Sequence, residues 1–282
     1  MSVTLPAEAY EASLVSHGGA QYWLERTASG KELVVQGADA ATLDAFTGRS
    51  DGDVFRAPAS AENALALRET LPWLKPRLWG LEPTAGTGDR LGLCTPGHVQ
   101  AFQQVPGVNP VFAQQSTREM GRTHRSARNV LDDATWGTFQ GGWTGGVGAD
   151  SDHQKQEESL TECAEAGYVF YTIDPGDEMD MDAHDADEAT VRAKAEALDW
   201  SVLDTSLSDA LARYAGKSFD LESGALTISE EDVYRTFAKS GGALKRGMDA
   251  AAEAVGDALR EAAREVDSKS DMASVATISS RD

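Results

Sequence analysis

The sequence predicts an α/β fold, an incomplete (β/α) barrel of the TIM type with an N-terminal α+β extension. Beyond residue 90, short apolar runs that end in polar residues alternate with helical segments, which is the pattern of a parallel sheet. No GxGxxG or GxxxxGKS/T string follows any of these runs, which argues against a nucleotide-binding fold. From Arg90 to Asp282 the chain has 193 residues, fewer than the roughly 250 of a typical full barrel. We therefore expect about five or six barrel strands.

The N-terminal region, residues 1–85, contains signals for both strands and helices. KELVVQG at 31–37 is typical of a strand, and the segment 60–74 is typical of a helix that begins after Ser60 as its N-cap. Residues 81–90 are rich in turn formers and are predicted to form a connector.

Four strand-like runs carry the barrel prediction, which covers residues 86–242. They are LGLC (91–94), NPVFAQQS (109–116), VGAD (147–150) and YVFYTIDPG (168–176). Helices are predicted after each run: one capped by Thr95 with Pro96 at its first position, one over 117–142 with a break near Gly121, one over 158–167 ended by Gly167, and two over 187–200 and 206–216. The motif Ser229-x-x-Asp232 indicates a capping box, residues 243–266 a last helix, and residues 267–282 an unstructured tail.

Polar side chains gather where each predicted strand ends. In a (β/α) barrel the chemistry occurs at the carboxyl ends of the strands. The residues at these ends are Thr95 and His98; Gln114, Gln115 and Arg118; Asp150, Asp152, His153 and Lys155; and Asp174. We expect them to line one open mouth.

Charge and composition restrict the partners. The chain has 46 acidic and 25 basic residues and a net charge of −21 at pH 7, a field that repels nucleic acids and anionic lipid surfaces. Acidity spread over the whole length with few lysines is typical of proteins from concentrated salt, so we expect a halophilic source. No secretory signal or transmembrane run is visible, and Cys94 and Cys163 are expected to be free thiols of a cytoplasmic protein.

Several polar residues have a chemical and a structural interpretation. Asp152 is a candidate general base or a helix cap, and His153 is a candidate ligand for Mn, Fe, Ni or Zn or a structural histidine. Arg118 suits a bidentate contact with a substrate carboxylate or a surface ion pair with Glu119 or a neighbouring acid. Lys155 would need a desolvated pocket to act as an amine nucleophile.

Five blocks of sequence show a more specific pattern. They are 88-GDRLGLCTPGHVQAF-102, 109-NPVFAQQSTREMGRT-123, 131-LDDATWGTFQGGW-143, 148-GADSDHQK-155 and 165-EAGYVFYTIDPG-176. In this order they resemble the tagaturonate/fructuronate epimerase family, most strongly over residues 88–177. The resemblance implies a barrel enzyme that uses a divalent metal to interconvert two keto-uronates that are epimers at C4. It also implies that Asp152 is the proton acceptor and His153 a metal ligand, while longer family members supply further ligands beyond the end of this chain.

The expected chemistry is retro-aldol cleavage and re-formation of the C3–C4 bond, because a 2-keto sugar acid with a 4-hydroxyl is a β-hydroxy ketone. We expect Gln114, Gln115, Arg118, Asp150 and Lys155 to bind the sugar acid. Two alternatives stay open: a related barrel aldolase or other sugar isomerase, and a non-catalytic relic that binds sugar acids. Because the barrel is incomplete, self-association or a complementing C-terminal fragment is a further expectation.

Overall fold

The computed structural model describes residues 4–155, 157–203 and 205–245. The chain divides between Thr172 and Ile173 into two compact units. The helix predicted for 243–266 and the tail predicted for 267–282 lie wholly or largely outside the described residues. Within the described ranges, no helix is long and apolar enough to span a membrane.

An antiparallel sheet forms the N-terminal part of the first unit. In the part of the chain that the structure describes, its five strands pair in the order β1-β2-β3-β5-β4. The strands are β1 (Val15–His17), β2 (Ala20–Thr27), β3 (Gly30–Gln36), β4 (Arg49–Asp51) and β5 (Val54–Pro58), and the accompanying helices are α1 (Ala40–Leu43) and α2 (Ala61–Thr70). The predicted strand at 31–37 and the helix capped by Ser60 are confirmed, because the Ser60 side chain accepts a hydrogen bond from the Asn63 amide.

Both faces of this antiparallel sheet are covered. Because side chains alternate along a strand, Tyr22 and Leu24 point to one face of β2 and pack in a core with Leu67 of α2. Trp23 points to the other face and packs with Ala9, which belongs to the segment that precedes β1. Burial on both sides explains why the middle of β2 is apolar rather than alternating.

A curled parallel sheet forms the rest of the first unit. Among the described residues it contains four strands in the order β6-β7-β8-β9: β6 (Thr84–Gly86), β7 (Asn109–Gln114), β8 (Gly148–Gln154) and β9 (Phe170–Ile173). The pairs β6–β7 and β7–β8 are parallel. The helices that follow the strands are α3 (Thr95–Gln104), α4 (Thr117–Thr123), α5 (Ala127–Gln140) and α6 (Glu157–Ala166). This mixed α/β arrangement fits the predicted incomplete barrel, whereas closure of the TIM type stays a prediction.

Two of the predicted boundaries are wrong. The first parallel strand is β6, inside the segment predicted to be a connector, and LGLC (91–94) forms no strand. The Asp89 carboxylate accepts hydrogen bonds from the backbone amides of Leu93 and Cys94, so these amides are not available to a sheet. The same carboxylate accepts from the Thr95 amide and hydroxyl at the start of α3, so Asp89 replaces the predicted Thr95 cap.

The long helix predicted for 117–142 is two helices, α4 and α5. The break lies at His124, whose φ of 53° is left-handed, rather than near Gly121. Ser126 then caps α5. Side chains from α3, α5 and α6 pack against β7 and β8 in the second core of the first unit, which includes Val99, Phe112, Val130, Ala149 and Cys163.

The second unit is mainly helical. Its regular elements among the described residues are α7 (Glu188–Glu196), α8 (Leu207–Tyr214), the hairpin of β10 (Ser218–Leu221) and β11 (Gly224–Thr227), and a helix over 230–245. The predicted capping box is confirmed: the Asp232 amide donates to Ser229 Oγ at 3.1 Å, and the Ser229 amide donates to Asp232 Oδ2 at 2.8 Å. Val191, Ala195 and Tyr234 belong to its small core.

Candidate active site

The face of the parallel sheet opposite α3, α5 and α6, called here the concave face, carries the polar residues of interest. A bulge in β7 orients the first of them. Val111 is paired with Gly148, but the next pairs are Ala113 with Ala149 and Gln114 with Asp150. Phe112 and Ala113 therefore both pack into the helix-side core. β7 thus has one residue more than β8 between these pairs, and side chains of β7 alternate between the two faces again only after Ala113. Gln114 therefore points to the concave face.

Asp150 is the centre of a hydrogen-bonded group on this face. Its residue exposure is only 8%. Gln114 Nε2 donates to Asp150 Oδ2 at 3.1 Å. The Thr172 hydroxyl, on β9, lies 2.9 Å from Oδ1 and 3.1 Å from Oδ2 and donates to the same carboxylate. A buried carboxylate needs such donors to offset the loss of water, so Gln114 and Thr172 determine where Asp150 lies.

Glycines make room for this group. A Cβ atom at Gly86 of β6 would collide with the side-chain amide of Gln114. At Gly148, a Cβ atom would lie 2.9 Å from Val111 Cγ2 and 3.1 Å from Trp79 Nε1. β6 and β8 therefore each have a glycine at the point where a neighbouring side chain, that of Gln114 or of Val111 and Trp79, lies against the strand.

Asp152 and His153 lie at the carboxyl end of β8, which continues to Gln154, so that of the predicted polar cluster only Lys155 lies beyond the strand. By strand alternation Asp152 follows Asp150 on the concave face. The Asp152 side chain is 15% exposed, the His153 side chain is 61% exposed, and His153 Nε2 lies 3.8 Å from Asp152 Oδ1. Burial raises the pKa of Asp152; the positive field of His153 opposes this shift and the negative field of Asp150 adds to it.

The backbone at His153 is unusual. Its φ of 51° is in the left-handed region, which residues other than glycine rarely adopt. Such conformations persist only where surrounding structure enforces them, and they are concentrated at functional sites. The left-handed turn also interrupts the alternation of β8, and Gln154, the next residue, is fully buried. Gln154 Oε1 accepts a hydrogen bond from Thr117 of α4 at 3.2 Å.

Gln115 is not on the concave face with Gln114. It is 1% exposed, its Nε2 donates to Thr123 Oγ1 at 3.0 Å, and its Oε1 accepts from Arg125 at 2.7 Å. Arg125 also donates to the Asp89 carbonyl and to Asp133 Oδ2, at 2.7 and 2.6 Å. Both ends of the Gln115 amide are therefore engaged, and Gln115 holds Arg125, which in turn bonds to the loop after β6.

Arg118 and Lys155 are exposed residues near the same end of the sheet, on α4 and directly after β8. The Glu119 carboxylate considered as a partner for Arg118 instead pairs with Arg90, whose Nη2 lies 2.9 Å from Glu119 Oε1. A cavity of about 410 Å³ is lined by Arg125, Asp132 and Asp133 and includes neither Asp152 nor His153.

The residues present supply part of a metal site. His153 and Asp152 offer a nitrogen and an oxygen donor. The described residues contain no group of three or more His, Cys, Asp or Glu side chains arranged to hold a metal ion. Catalytic metals usually have about three protein ligands, so the described residues alone do not complete such a site.

Sequence reasoning missed Thr172 and Gly86. The alternation of YVFYTIDPG contained a signal for Thr172, since it is the polar position of a strand that is otherwise apolar. Nothing local indicated Gly86, because its role depends on Gln114 in a neighbouring strand.

Comparison with known proteins settles the relationship. The model of the tagaturonate epimerase family matches residues 10–270. The chain belongs to the tagaturonate epimerase family. The tagaturonate/fructuronate epimerase of Thermotoga maritima is 45% identical over 175 residues, which are 61% of this chain and 36% of that protein.

Solved structures agree with this assignment. The native structure of the fructuronate-tagaturonate epimerase UxaE from Cohnella laeviribosi aligns with a TM-score of 0.71 at 32% identity, covering 85% of this chain and 48% of that chain. A glycerol complex of the same protein aligns with a TM-score of 0.70 over 84% of this chain. The chain thus spans about half the length of the solved relatives it matches.

Proposed function

We propose that this chain carries part of the active site of a metal-dependent isomerase that interconverts D-tagaturonate and D-fructuronate at C4. The observation that carries the proposal is the Asp152–His153 pair, placed at the carboxyl end of β8 beside the Asp150 group in a member of this family. Parallel α/β sheets bind ligands at this end of their strands.

The proposed reaction is a retro-aldol cleavage followed by an aldol addition. A base removes the proton of the 4-hydroxyl, the C3–C4 bond breaks, and its electron pair forms an enediolate across C2 and C3 while C4 becomes an aldehyde. Rotation of the aldehyde about its bond to C5 presents the opposite carbonyl face. The C3–C4 bond then re-forms and the proton returns to O4. Direct removal of hydrogen from C4 is disfavoured, because no adjacent carbonyl stabilises that carbanion.

Asp152 is the proposed base. Burial raises the pKa of Asp152 above that of an exposed aspartate. A base transfers protons more efficiently when its pKa is nearer the working pH. His153 is the proposed metal ligand, with other ligands from outside the described residues and a metal of the Mn, Fe, Ni or Zn type. A metal bound there would supply a Lewis acid for the carbonyl oxygen.

The remaining side chains are proposed to bind and orient the sugar acid. Gln114 and Asp150 face the same surface as Asp152 and can hydrogen-bond to hydroxyl groups. Arg118 and Lys155 are cations at the mouth and suit the carboxylate. Gln115 acts indirectly, since its amide positions Arg125 and Thr123.

Incubation of the purified chain with fructuronate, with and without Mn²⁺, tests the proposal. Because the chain is proposed to carry only part of the site, we expect tagaturonate to appear when a C-terminal fragment of a longer relative is added to supply the remaining ligands. The variant Asp152→Asn should lower the rate by about 10²-fold or more, whereas Asp53→Asn, a matched change at an exposed turn, should not. Three-carbon products would instead indicate an aldolase, and full activity of Asp152→Asn would exclude Asp152 as the base.

Metal binding separates both enzyme hypotheses from a non-catalytic relic. We expect Mn²⁺ retained after gel filtration to fall when His153 is replaced by alanine. A chain that neither retains metal nor converts either sugar acid, even with that C-terminal fragment added, is the result expected of a relic.

A further inference from the structure

Arg90 lies in the loop after β6, at the carboxyl end of the parallel sheet. Its Nε and Nη2 atoms lie 3.0 and 2.9 Å from Oε1 of Glu119, in α4. Glu119 is held in turn, because its Oε2 accepts a hydrogen bond from the Ser116 amide in the capping box of α4. The same helix reaches the end of β8, where Thr117 donates to Gln154. The Arg90 guanidinium is therefore fixed beside the ends of the strands, although 50% of the side chain is exposed.

A glycine gives the guanidinium its place over the end of β7. A Cβ atom at Gly88 would collide with the Arg90 guanidinium and would lie 2.8 Å from the Gln114 carbonyl oxygen. The guanidinium thus lies over bare backbone next to Gln114, whose side chain donates to Asp150. Gly86 makes room for the side chain of Gln114, and Gly88, two residues later, makes room for Arg90.

The charge of Arg90 acts on the proposed base. Burial has the largest effect on the pKa of Asp152 and raises it. Glu119 raises this pKa further, whereas Arg90 lowers it. Because charges separated by more than about 10 Å are largely screened in salt solution, Arg90 belongs to the surroundings of Asp152.

Part of the Arg90 guanidinium is directed away from Glu119. A guanidinium has five N–H groups, and in the described part of the chain Nη1 donates no hydrogen bond, while Nε and Nη2 face Glu119. The Nη1 and Nη2 hydrogens on the other side form a planar fork that matches the two oxygens of a carboxylate. Since the net charge of −21 repels anions as a whole, an anionic substrate needs such a local cation.

We propose that Arg90 binds the carboxylate of the sugar acid and thereby selects uronates over neutral ketoses. This inference rests on the proposed function, which supplies the substrate. In a 2-keto hexuronate only C5 separates the carboxylate carbon, C6, from the reacting C4, so the cation that holds the carboxylate must lie near the base at the 4-hydroxyl. Arg90 meets this condition beside Asp152. Because Glu119 already holds the guanidinium, little conformational entropy is lost when it binds.

This assignment gives the other cations of the mouth a different part. Arg118 and Lys155 are exposed, on α4 and directly after β8. They attract the anion towards the site, whereas Arg90 makes the fixed contact that distinguishes a carboxylate from a hydroxymethyl group.

The test is an NMR titration of the intact chain with D-fructuronate and with D-fructose, which has a CH2OH group in place of the carboxylate. We expect Arg90→Gln to weaken fructuronate binding about tenfold or more and to leave fructose binding unchanged. Arg90→Lys, which retains the charge but not the planar fork, should give an intermediate affinity for fructuronate. Arg122→Gln, a matched change at an exposed position of α4, should alter neither.

Four results would overturn the proposal: no binding of fructuronate to the wild-type chain, equal binding of fructuronate to wild type and Arg90→Gln, loss of both ligands in Arg90→Gln, or a larger loss in Arg118→Gln than in Arg90→Gln. The third would show that Arg90 only maintains the loop. Because binding and not turnover is measured, fructuronate that binds through Arg90 without being epimerised would count against the proposed function alone. Epimerisation by Arg90→Gln with an unchanged KM would count against the role of Arg90 alone.

Discussion

The antiparallel and parallel sheets of the first unit differ in how they use their two faces. The antiparallel sheet has both faces covered by apolar side chains and a charged edge strand. The parallel sheet has one face covered by helices, while its other face carries Asp150, Asp152 and Gln114 beside an uncharged edge.

This difference indicates that the residues that stabilise the fold and the residues suited to chemistry lie largely in different sheets of the first unit. Apolar burial on two faces contributes most to folding free energy, so the antiparallel sheet and α2 serve as a base. Polar groups on a concave face cost desolvation unless each has a partner. On its concave face the parallel sheet therefore has the hydrogen bonds of Gln114 and Thr172 to Asp150 in place of apolar packing.

A buried ion pair joins the two regions and gives the largest expected effect. Arg68 of α2 and Asp132 of α5 are 2.8 Å apart, with side-chain exposures of 3% and 6%. Arg68→Leu would leave the buried Asp132 carboxylate with only its longer contact to Arg128 Nε, at 3.4 Å, and should lower the free energy of unfolding by about 3–5 kcal/mol. Burial already raises the pKa of Asp132 and its pairing with Arg68 opposes this shift. The difference in unfolding free energy between wild type and Arg68→Leu should therefore become smaller as the pH falls and Asp132 is protonated.

Urea denaturation at pH 7 and at lower pH measures this effect. Lys75→Leu is the control, because Lys75 and Glu69 form an exposed pair with side chains 59% and 58% exposed and should contribute less than about 1 kcal/mol. Equal losses for the two variants would show that the junction between the regions is not stabilised by its buried pair.

The loop after β6 gives a smaller effect with a defined pH dependence. Burial alone would raise the pKa of Asp89, but hydrogen bonds from the Thr95, Leu93 and Cys94 amides and the Thr95 hydroxyl outweigh it and lower the pKa below 3.8. Its stabilisation is therefore complete above pH 3.8 and is lost as the pH falls through the lower folded-state value. Asp89→Asn should cost about 1–3 kcal/mol at pH 7.

Thermal or urea unfolding of wild type and Asp89→Asn at several pH values provides the measurement. The difference between them should narrow once the pH is below 3.8. A difference that stays constant with pH would mean that the charge of Asp89 is unimportant to the loop. Asp53→Asn, at an exposed turn, should show little difference at any pH.

Gly86→Ala should have the smallest effect on stability and a selective effect on the site. The added methyl meets the end of the flexible Gln114 side chain, which can move away, so the cost should be about 1 kcal/mol. Gln114 should nevertheless lose its hydrogen bond to Asp150. The side-chain amide resonances of Gln114 report this change, and unaltered resonances would contradict it. Gly97→Ala is the control, because Gly97 is an exposed position of α3 with no heavy atom near an added methyl and no left-handed φ, and it should leave the Gln114 resonances unchanged.

Much of the fold could be predicted because its signals are local. The strand-like run at 31–37, the apolar run at 109–116 and the helix caps at Ser60 and Ser229 each depend on neighbours within a few residues. The errors occurred where a distant group competes with the local pattern. LGLC resembles a strand by composition, but the Asp89 carboxylate binds its amides and prevents pairing.

The candidate site shows the same limit. The string GADSDHQK predicted that Asp150, Asp152 and His153 would end a strand, and they lie in the last part of β8. The different orientations of Gln114 and Gln115 could not be predicted, because they depend on a bulge in the pairing of β7 with β8. Adjacent glutamines look alike in the sequence, yet one orients Asp150 and the other binds Arg125.

The sequence by itself determined most of the order of strands and helices, the polar cluster that follows the small residues of β8, and the family, because periodicity and motif spacing are properties of neighbouring residues. Tertiary structure alone decided that Thr172, 22 residues beyond Asp150, orients its carboxylate, and that Gly86 makes room for Gln114. Such contacts depend on how separate strands are registered. A hydrogen bond or a steric fit between residues far apart in the chain exists only once the sheet has formed.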